Sequence, residues 1–270
     1  MRITFIGGGN MATALIGGLL AKTGAAPQIS VVEPSAAQRD LLQQRFPVRT
    51  HAKADAQAVA GDVIVMAIKP QQMREAALAL APLLSGQLVI SVAAGIRAAE
   101  LSRWLDGHRR IVRCMPNTPA LIGAGITGLA PMPGLAQADR DAAQAILSAV
   151  GQTLWVDDES MLDAVTAVSG SGPAYVFYFM EAMHRAGREM GLPDAQALQL
   201  TLATFAGASR LAAESGEPPS LLRERVTSKG GTTAAALSVM AERGVNQHIV
   251  DALAAARRRS AELGDEFGRD

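Results

Sequence analysis

The chain has 270 residues, of which 49% are hydrophobic and one is a cysteine, and its 25 basic residues balance 25 acidic ones. This length predicts about two domains with sizeable cores, while the balanced charge gives no field that would attract nucleic acid. A single cysteine cannot form an internal disulfide, so we expect a reducing, cytoplasmic environment. The four histidines are scattered and lack metal-ligand spacing, so we expect no bound metal.

The first half of the chain alternates short β-branched runs with helical stretches, which is typical of a parallel α/β sheet. The predicted strands are Ile3–Ile6, Ile29–Val32, Val63–Ala67, Leu88–Val92, Ile111–Cys114 and Thr153–Val156. The predicted helices are Asn10–Lys22, Ala36–Arg45, Gln71–Leu80, Ala98–Leu105 and Ala138–Val150. Residues 63–68 are apolar without alternation, so we expect both faces of this strand to be covered.

After about residue 160 the β signal stops, and Ala/Leu-rich segments with helical periodicity follow. The predicted helices are Pro173–Met190, Asp194–Glu214, Leu221–Val226, Thr233–Glu242 and Gln247–Leu263. We predict a Rossmann-type nucleotide-binding domain over residues 1–158 and an all-α dimerisation domain over residues 159–270. The helical domain is too thin to bury its apolar faces alone, which predicts interlocking subunits. The charged end Glu262–Asp270 is expected to fray.

Two uncharged stretches resemble membrane segments, but each is interrupted. Residues 3–21 contain three successive glycines, which a membrane-inserting signal segment tolerates poorly. Residues 114–138 contain four prolines, which break a spanning helix. We therefore expect a soluble protein that does not bind membranes.

A dinucleotide fingerprint, Gly7-x-Gly9-x-x-Ala12, follows the first strand and opens the first helix. The glycines let the backbone turn and approach a pyrophosphate, and Ala12 lets the helix pack closely on the strand. Asn10 and Met11 begin the helix, whose N-terminus attracts an anion. A plain strand-to-helix turn is the alternative interpretation.

An acidic residue, Glu33, ends the second predicted strand, near the spacing of a carboxylate that accepts from a ribose hydroxyl. Taken alone, Glu33 favours NADH. Ser35 and Arg39 follow closely and offer groups for a 2′-phosphate, so the predicted cofactor is NADPH or NADH. A solvated residue at a strand end is the other reading of Glu33.

Residues at the ends of two further predicted strands are candidates for cofactor contact, because open α/β sheets bind ligands at such strand ends. These residues are Ala67, Lys69, Pro70, Ala93, Ala94 and Gly95. The lysine is either a cofactor contact or an ordinary surface charge, and the small residues leave room for a flat ring.

Five segments taken together resemble the pyrroline-5-carboxylate reductase family, whose members complete proline synthesis. They are Phe5–Met11, Ile68–Pro70, Met115–Ala120, Ser169–Tyr175 and Val226–Thr233, and the likeness spans residues 3–263. The first segment is shared with many dehydrogenases, whereas the last three are specific to the family. The chain departs from the family pattern at Lys229, where many relatives carry proline, and at Glu33, because members often favour NADPH.

The loop 226–233 carries two glycines and three hydroxyl residues ahead of a predicted helix. Backbone N–H groups, a helix N-terminus and hydroxyl donors suit a carboxylate, although Thr232 or Thr233 could equally cap the helix. The predicted substrate-binding residues are Val226, Ser228, Gly230, Gly231, Thr232, Thr233 and Asn117. Asn117 is also a candidate for the nicotinamide amide, with a structural Asx turn as the alternative.

The resemblance implies hydride transfer from the reduced nicotinamide to the imine carbon of 1-pyrroline-5-carboxylate, giving L-proline. Our hypothesis gives Thr233 the hydrogen bond to the imine nitrogen and makes it the catalytic residue. The resemblance also implies a homodimer whose active site combines one subunit's nucleotide domain with its partner's helices, often assembled into a ring of dimers.

Two other functions stay open. One is another imine or β-hydroxyacid reductase with the same two-domain plan. The hydroxyacid enzymes place a catalytic lysine on the helix that starts the second domain, and residues 164–180 contain no lysine. The other is a non-catalytic dinucleotide-binding regulator, which would need the fingerprint but not the loop 226–233.

Overall fold

The computed structural model describes residues 1–22 and 28–269. The chain divides into two compact units, the first formed by Met1–Ser171 with Ala255–Asp270 and the second by Gly172–Ala254. The structural division lies between Ser171 and Gly172. The domain boundary expected from the sequence, between residues 158 and 159, stays a prediction.

Within the described part of the first unit, eight strands form one sheet in the order β3-β2-β1-β4-β5-β6-β7-β8. They are β1 Arg2–Ile6, β2 Gln28–Val32, β3 Arg49–His51, β4 Val63–Met66, β5 Leu88–Ser91, β6 Ile111–Met115, β7 Gly125–Pro131 and β8 Gly151–Trp155. The first six strands are parallel and have the order of a dinucleotide-binding sheet. Their carboxyl ends therefore lie along one edge.

Helices of the first unit cover both faces of the sheet. They are α1 Asn10–Lys22, α2 Ala36–Arg45, α3 Pro70–Leu80, α4 Ala98–Trp104, α5 Gln137–Leu147 and α6 Met161–Val165. Successive side chains of β4 alternate between two hydrophobic cores: Val65 joins Phe5 and Leu15, whereas Met66 joins Met73. The prediction that this strand is covered on both faces is confirmed, since all four residues of β4 are buried.

The sheet departs from the predicted parallel pattern at one strand that we did not predict, since β7 pairs antiparallel with β6. This strand was missed because glycine and proline in its sequence are typical of a loop. The glycines allow close packing here: a Cβ on Gly128 would lie 2.7 Å from Val165 Cγ1, and one on Gly125 would lie 2.9 Å from the Ala120 nitrogen. The three-residue strand β3 was also missed.

The second unit is helical, as predicted. Its helices are α7 Gly172–Glu189, α8 Asp194–Ser215, α9 Pro219–Arg225, α10 Thr232–Glu242 and the first part of α11 Val245–Phe267. In this unit only Gly187, Ala197 and Thr201 are buried among the described residues, where α7 packs on α8. Phe177 and Tyr178 are 57% and 71% exposed in the single chain. The helices therefore leave large apolar surfaces uncovered.

The expected fraying of residues 262–269 is wrong, because α11 continues to Phe267 and its last part belongs to the first unit, where it packs on other residues of that unit. Asp270 lies outside the described residues. Arg97 Nη2 donates to Asp265 Oδ1 at 2.6 Å. A Cβ on Gly95 would lie 3.3 Å from Leu263 Cβ and 3.2 Å from the Phe267 ring. The charged residues that led us to expect fraying are thus partly paired, and Leu263 and Phe267 between them pack against Gly95. Among the described helices, none combines the length and apolarity needed to cross a membrane.

Candidate functional site

The turn from β1 to α1 is held between the carboxyl ends of β2 and β4. Gly7 has φ +96° and its N–H donates to Val32 O at 2.8 Å. A Cβ on Gly7 would lie 2.6 Å from both Ala67 O and Ile68 Cγ2. Both the left-handed backbone and the close approach therefore require glycine.

Two residues further on, the fingerprint faces open space. The helix begins with the Thr13 N–H donating to Gly9 O at 2.9 Å, and no described atom lies within 4 Å of a Cβ built on Gly9. Asn10 is exposed, Met11 is half-buried and Ala12 is fully buried. The N–H groups of the first turn have no partner within the helix. This cradle fits a pyrophosphate, which the positive end of α1 would attract.

The β2–α2 turn contacts the fingerprint directly. The Glu33 carboxylate accepts from the Gly8 N–H and the Ser35 N–H, each at 2.9 Å. The Ser35 hydroxyl caps α2 by accepting from the Gln38 N–H at 3.4 Å. Arg39 Nη1 donates to the carbonyl oxygens of Glu33 and Pro34 at 2.7 and 2.8 Å. The structure thus brings the predicted acidic residue and the fingerprint together.

The other predicted cofactor residues lie at the ends of β4 and β5. Lys69 is exposed and precedes α3, where Pro70 occupies the first turn. Ala93 is buried, and Gly95 has φ +75° in the turn that leads to α4. Because β1, β2, β4 and β5 are parallel, all these residues lie along the same edge of the sheet.

Asn117 uses its side chain to join two other segments. Its Oδ1 accepts from the Ile126 N–H at 2.9 Å, and its Nδ2 donates to Ser169 O at 3.2 Å. A Cβ on Gly170 would collide with Met115 Cε. Residues 115–120 and 169–170, which belong to segments singled out by the resemblance, are therefore held together. These bonds favour a positioning role for Asn117; its predicted contact with nicotinamide or substrate stays a prediction.

A π-helix over Thr166–Gly170, which we did not predict, follows α6. The Ser171 N–H donates to Thr166 O at 2.8 Å across five residues. The hydroxyls of Thr166 and Ser169 donate to the carbonyl oxygens four residues earlier, at 2.7 and 3.0 Å. Such bonds compete for helical carbonyls, and single π turns are frequent at functional sites. The sequence signal was the small-residue run 169–172, which our sequence analysis used only as part of a segment that resembles the family.

The predicted substrate loop forms a tight turn before α10. The Gly231 N–H donates to Ser228 O at 3.0 Å, and Gly230 has φ +73°. Gly231 is the N-cap of α10, and Thr232 and Thr233 are its first two residues. The alternative that a threonine side chain caps this helix is therefore wrong. The first-turn amides and three hydroxyl groups gather at one helix end, which suits a carboxylate, and Val226 lies exposed at the end of α9.

Other chemistry has little support in the described residues. Burial raises the pKa of the Cys114 thiol far above its usual range, which makes it a poor nucleophile. Within residues 1–22 and 28–269, no group of three or more His, Cys, Asp or Glu side chains could hold a metal ion. The candidate groups are mainly backbone amides and hydroxyl groups, with one carboxylate, Glu33, in the first unit.

Comparison with known proteins identifies the family. A family model described as pyrroline-5-carboxylate reductase dimerisation matches residues 159–263, and one described as NADP oxidoreductase, coenzyme F420-dependent, matches residues 2–95. The pyrroline-5-carboxylate reductase of Pseudomonas aeruginosa is 48% identical over 270 residues, covering 99% of this chain and 98% of that one. The chain belongs to the pyrroline-5-carboxylate reductase family.

Solved structures agree with this assignment. A pyrroline-5-carboxylate reductase from Coxiella burnetii superposes with a TM-score of 0.90 and 39% identity, covering 97% of this chain and 98% of that chain. A pyrroline carboxylate reductase from Plasmodium falciparum, solved with NADP bound, gives a TM-score of 0.86 and 27% identity, covering 98% of each chain. The predicted family, the fold class and an NAD(P)H-dependent oxidoreductase are confirmed.

Proposed function

We propose that this chain catalyses the NAD(P)H-dependent reduction of 1-pyrroline-5-carboxylate to L-proline, the last step of proline synthesis. The observation that carries the proposal is the family fold with two anion-binding helix ends. One is the glycine turn before α1, and the other is the Gly231-capped start of α10.

In the first unit, the chain binds and orients the dinucleotide. The open side of Gly9 and the first-turn amides of α1 hold the pyrophosphate, and Glu33 lies where an adenosine ribose is recognised. Of the small residues after β5, the half-buried Ala94 leaves room for the ring, whereas the Cβ side of Gly95 is filled by Leu263 and Phe267. When bound, the reduced nicotinamide supplies a hydride.

In the second unit, the α10 turn binds the substrate. The amides at residues 232–234 and the Ser228 hydroxyl hold the carboxylate, and the Thr233 hydroxyl bonds the imine nitrogen. As the imine carbon gains a hydride, the nitrogen becomes an amine. Its proton is already present on the iminium or comes from Thr233, which regains it from solvent. Proximity and orientation supply most of the rate.

We also propose a homodimer formed through the exposed helices of residues 172–254, and its assembly into a ring of dimers. Support comes from the matched dimerisation model and from the exposed apolar residues of α7 and α8. A cytoplasmic location is proposed because the reaction consumes a reduced nicotinamide nucleotide.

Replacing Thr233 by valine tests the substrate role, because it removes the hydroxyl and keeps the shape. We expect turnover to fall about ten- to hundred-fold, as for the loss of one hydrogen bond to a charged group, with the Kd for NADH unchanged. Ser238→Ala, also on α10 and exposed, is the matched control and should retain turnover. Unchanged turnover in Thr233→Val would exclude the role assigned to this hydroxyl.

A further inference from the structure

The carboxylate of Glu33 is fixed by the main chain on both of its oxygens. Oε2 accepts from the Gly8 N–H and Oε1 from the Ser35 N–H, each at 2.9 Å. The side chain is half-buried, and a Cβ on Gly8 would lie 3.4 Å from Glu33 Cβ and Cγ. The charge is therefore held against the fingerprint turn instead of rotating into solvent.

The peptide of Gly8 is held from its other side as well. Gln38 Nε2 donates to Gly8 O at 2.6 Å, so two side chains of the β2–α2 segment bind the same glycine. This rigid connection sets the distance between the carboxylate and the N-terminus of α1. In sheets of this order, the adenosine ribose of a dinucleotide lies between these two features.

The remaining acceptor capacity of Glu33 matches a ribose. A carboxylate has about four lone-pair sites, and the two main-chain N–H groups occupy two of them. The other two can accept from vicinal hydroxyls. A phosphate monoester at the 2′ position removes one of these donors and brings about 1.5 to 2 negative charges to a carboxylate that cannot move away.

The cation suited to such a phosphate, Arg39, uses one of its guanidinium nitrogens to hold the turn itself. Arg39 Nη1 donates to the carbonyl oxygens of Glu33 and Pro34, which ties it to the main chain of the turn. The Ser35 hydroxyl caps α2. Both groups that the sequence offered for a 2′-phosphate thus stabilise the turn that holds the carboxylate.

We infer that Glu33 is the specificity-determining residue that makes this chain prefer NADH over NADPH. The inference rests on the proposed function, because it concerns the ribose subsite of the same cofactor.

Equilibrium titrations without substrate test this inference. Kd values are measured for NADH and NADPH, and for ADP-ribose and its 2′-phosphate, with the wild type and Glu33→Gln. We expect the wild type to bind the unphosphorylated member of each pair at least about ten-fold more tightly. Glu33→Gln removes the charge at constant size, so NADPH should bind more tightly, NADH more weakly, and the preference should collapse.

Asp40→Asn on the exposed face of α2 is the matched control, since it removes the same charge and should leave the preference unchanged. If the wild type binds the phosphorylated nucleotides equally well or more tightly, the inference is overturned but the proposed function is not. This test does not depend on whether Glu33→Gln folds. Binding of none of the four nucleotides overturns the proposed function as well.

Discussion

Substitutions at two glycines of the fingerprint should affect two different properties, cofactor affinity and folding stability. Gly9→Ala and Gly7→Ala each add one methyl group, two residues apart. At Gly9 the methyl meets no described atom within 4 Å, and the backbone is outside the left-handed region. Since alanine is a poorer N-cap than glycine, the free energy of unfolding should fall by less than about 1 kcal/mol. The methyl would intrude on the pyrophosphate, so the Kd for NADH should rise at least about ten-fold, or about 1.4 kcal/mol.

At Gly7 the substitution should instead lower the free energy of unfolding. A φ of +96° costs an alanine about 1–2 kcal/mol, and the 2.6 Å approach to Ala67 O and Ile68 Cγ2 adds about 1–3 kcal/mol of overpacking. The total of about 2–5 kcal/mol should lower the unfolding midpoint by about 4–20 °C.

Thermal unfolding of the cofactor-free protein, followed by circular dichroism, and NADH titration at 25 °C measure the two effects. Gly9→Ala with wild-type affinity would refute the assignment of the pyrophosphate cradle. Gly7→Ala with a wild-type midpoint would refute the steric argument at the strand ends.

Two further predictions concern titratable groups. Because burial raises the pKa of the Cys114 thiol, an aromatic disulfide reagent should label one thiol per chain only after denaturation, and rapid labelling of the native protein would contradict this. Hydrogen bonds from the main chain and side chain of Arg2 hold the pKa of Asp62 below its ordinary value of 3.8, so the stability it contributes is present above that pH and is lost as pH falls through the folded-state pKa. Because both side chains are about half-exposed, Asp62→Asn should lower the free energy of unfolding at pH 7 by less than about 1 kcal/mol. The difference in unfolding midpoint between wild type and variant should shrink towards pH 3. An equal difference at both pH values would contradict the role assigned to the Arg2–Asp62 pair.

The fold was largely predictable where periodicity is strong. β4 reads as a continuous apolar run, and α1 and α8 show helical patterns bounded by turn residues, so their positions followed from the sequence. β7 did not, because Gly125 and Gly128 are there for close packing against residues 5 and 37 positions away, which local patterns cannot reveal. The docked end of α11 was missed for the same reason, since its partner Arg97 lies 168 residues from Asp265.

The sequence predicted which residues form the candidate site better than it predicted the contacts that these residues make. The spacing of Gly7, Gly9 and Glu33 predicted a nucleotide turn, but the bond from the Gly8 N–H to the Glu33 carboxylate depends on how two strand ends meet. The dual bonds of Asn117 likewise span 9 and 52 residues. Tertiary contacts of this kind decide whether a side chain reaches a ligand or holds a loop.

Initial rates of NADH and NADPH oxidation, with and without 1-pyrroline-5-carboxylate, test the central claim most directly when proline is quantified in the same samples. The account predicts oxidation that depends on the substrate, one proline formed per nucleotide oxidised, and faster turnover with NADH when both nucleotides are below saturation. A folded protein that binds the nucleotide but shows no substrate-dependent oxidation with either cofactor would contradict the account and favour a dinucleotide-binding regulator.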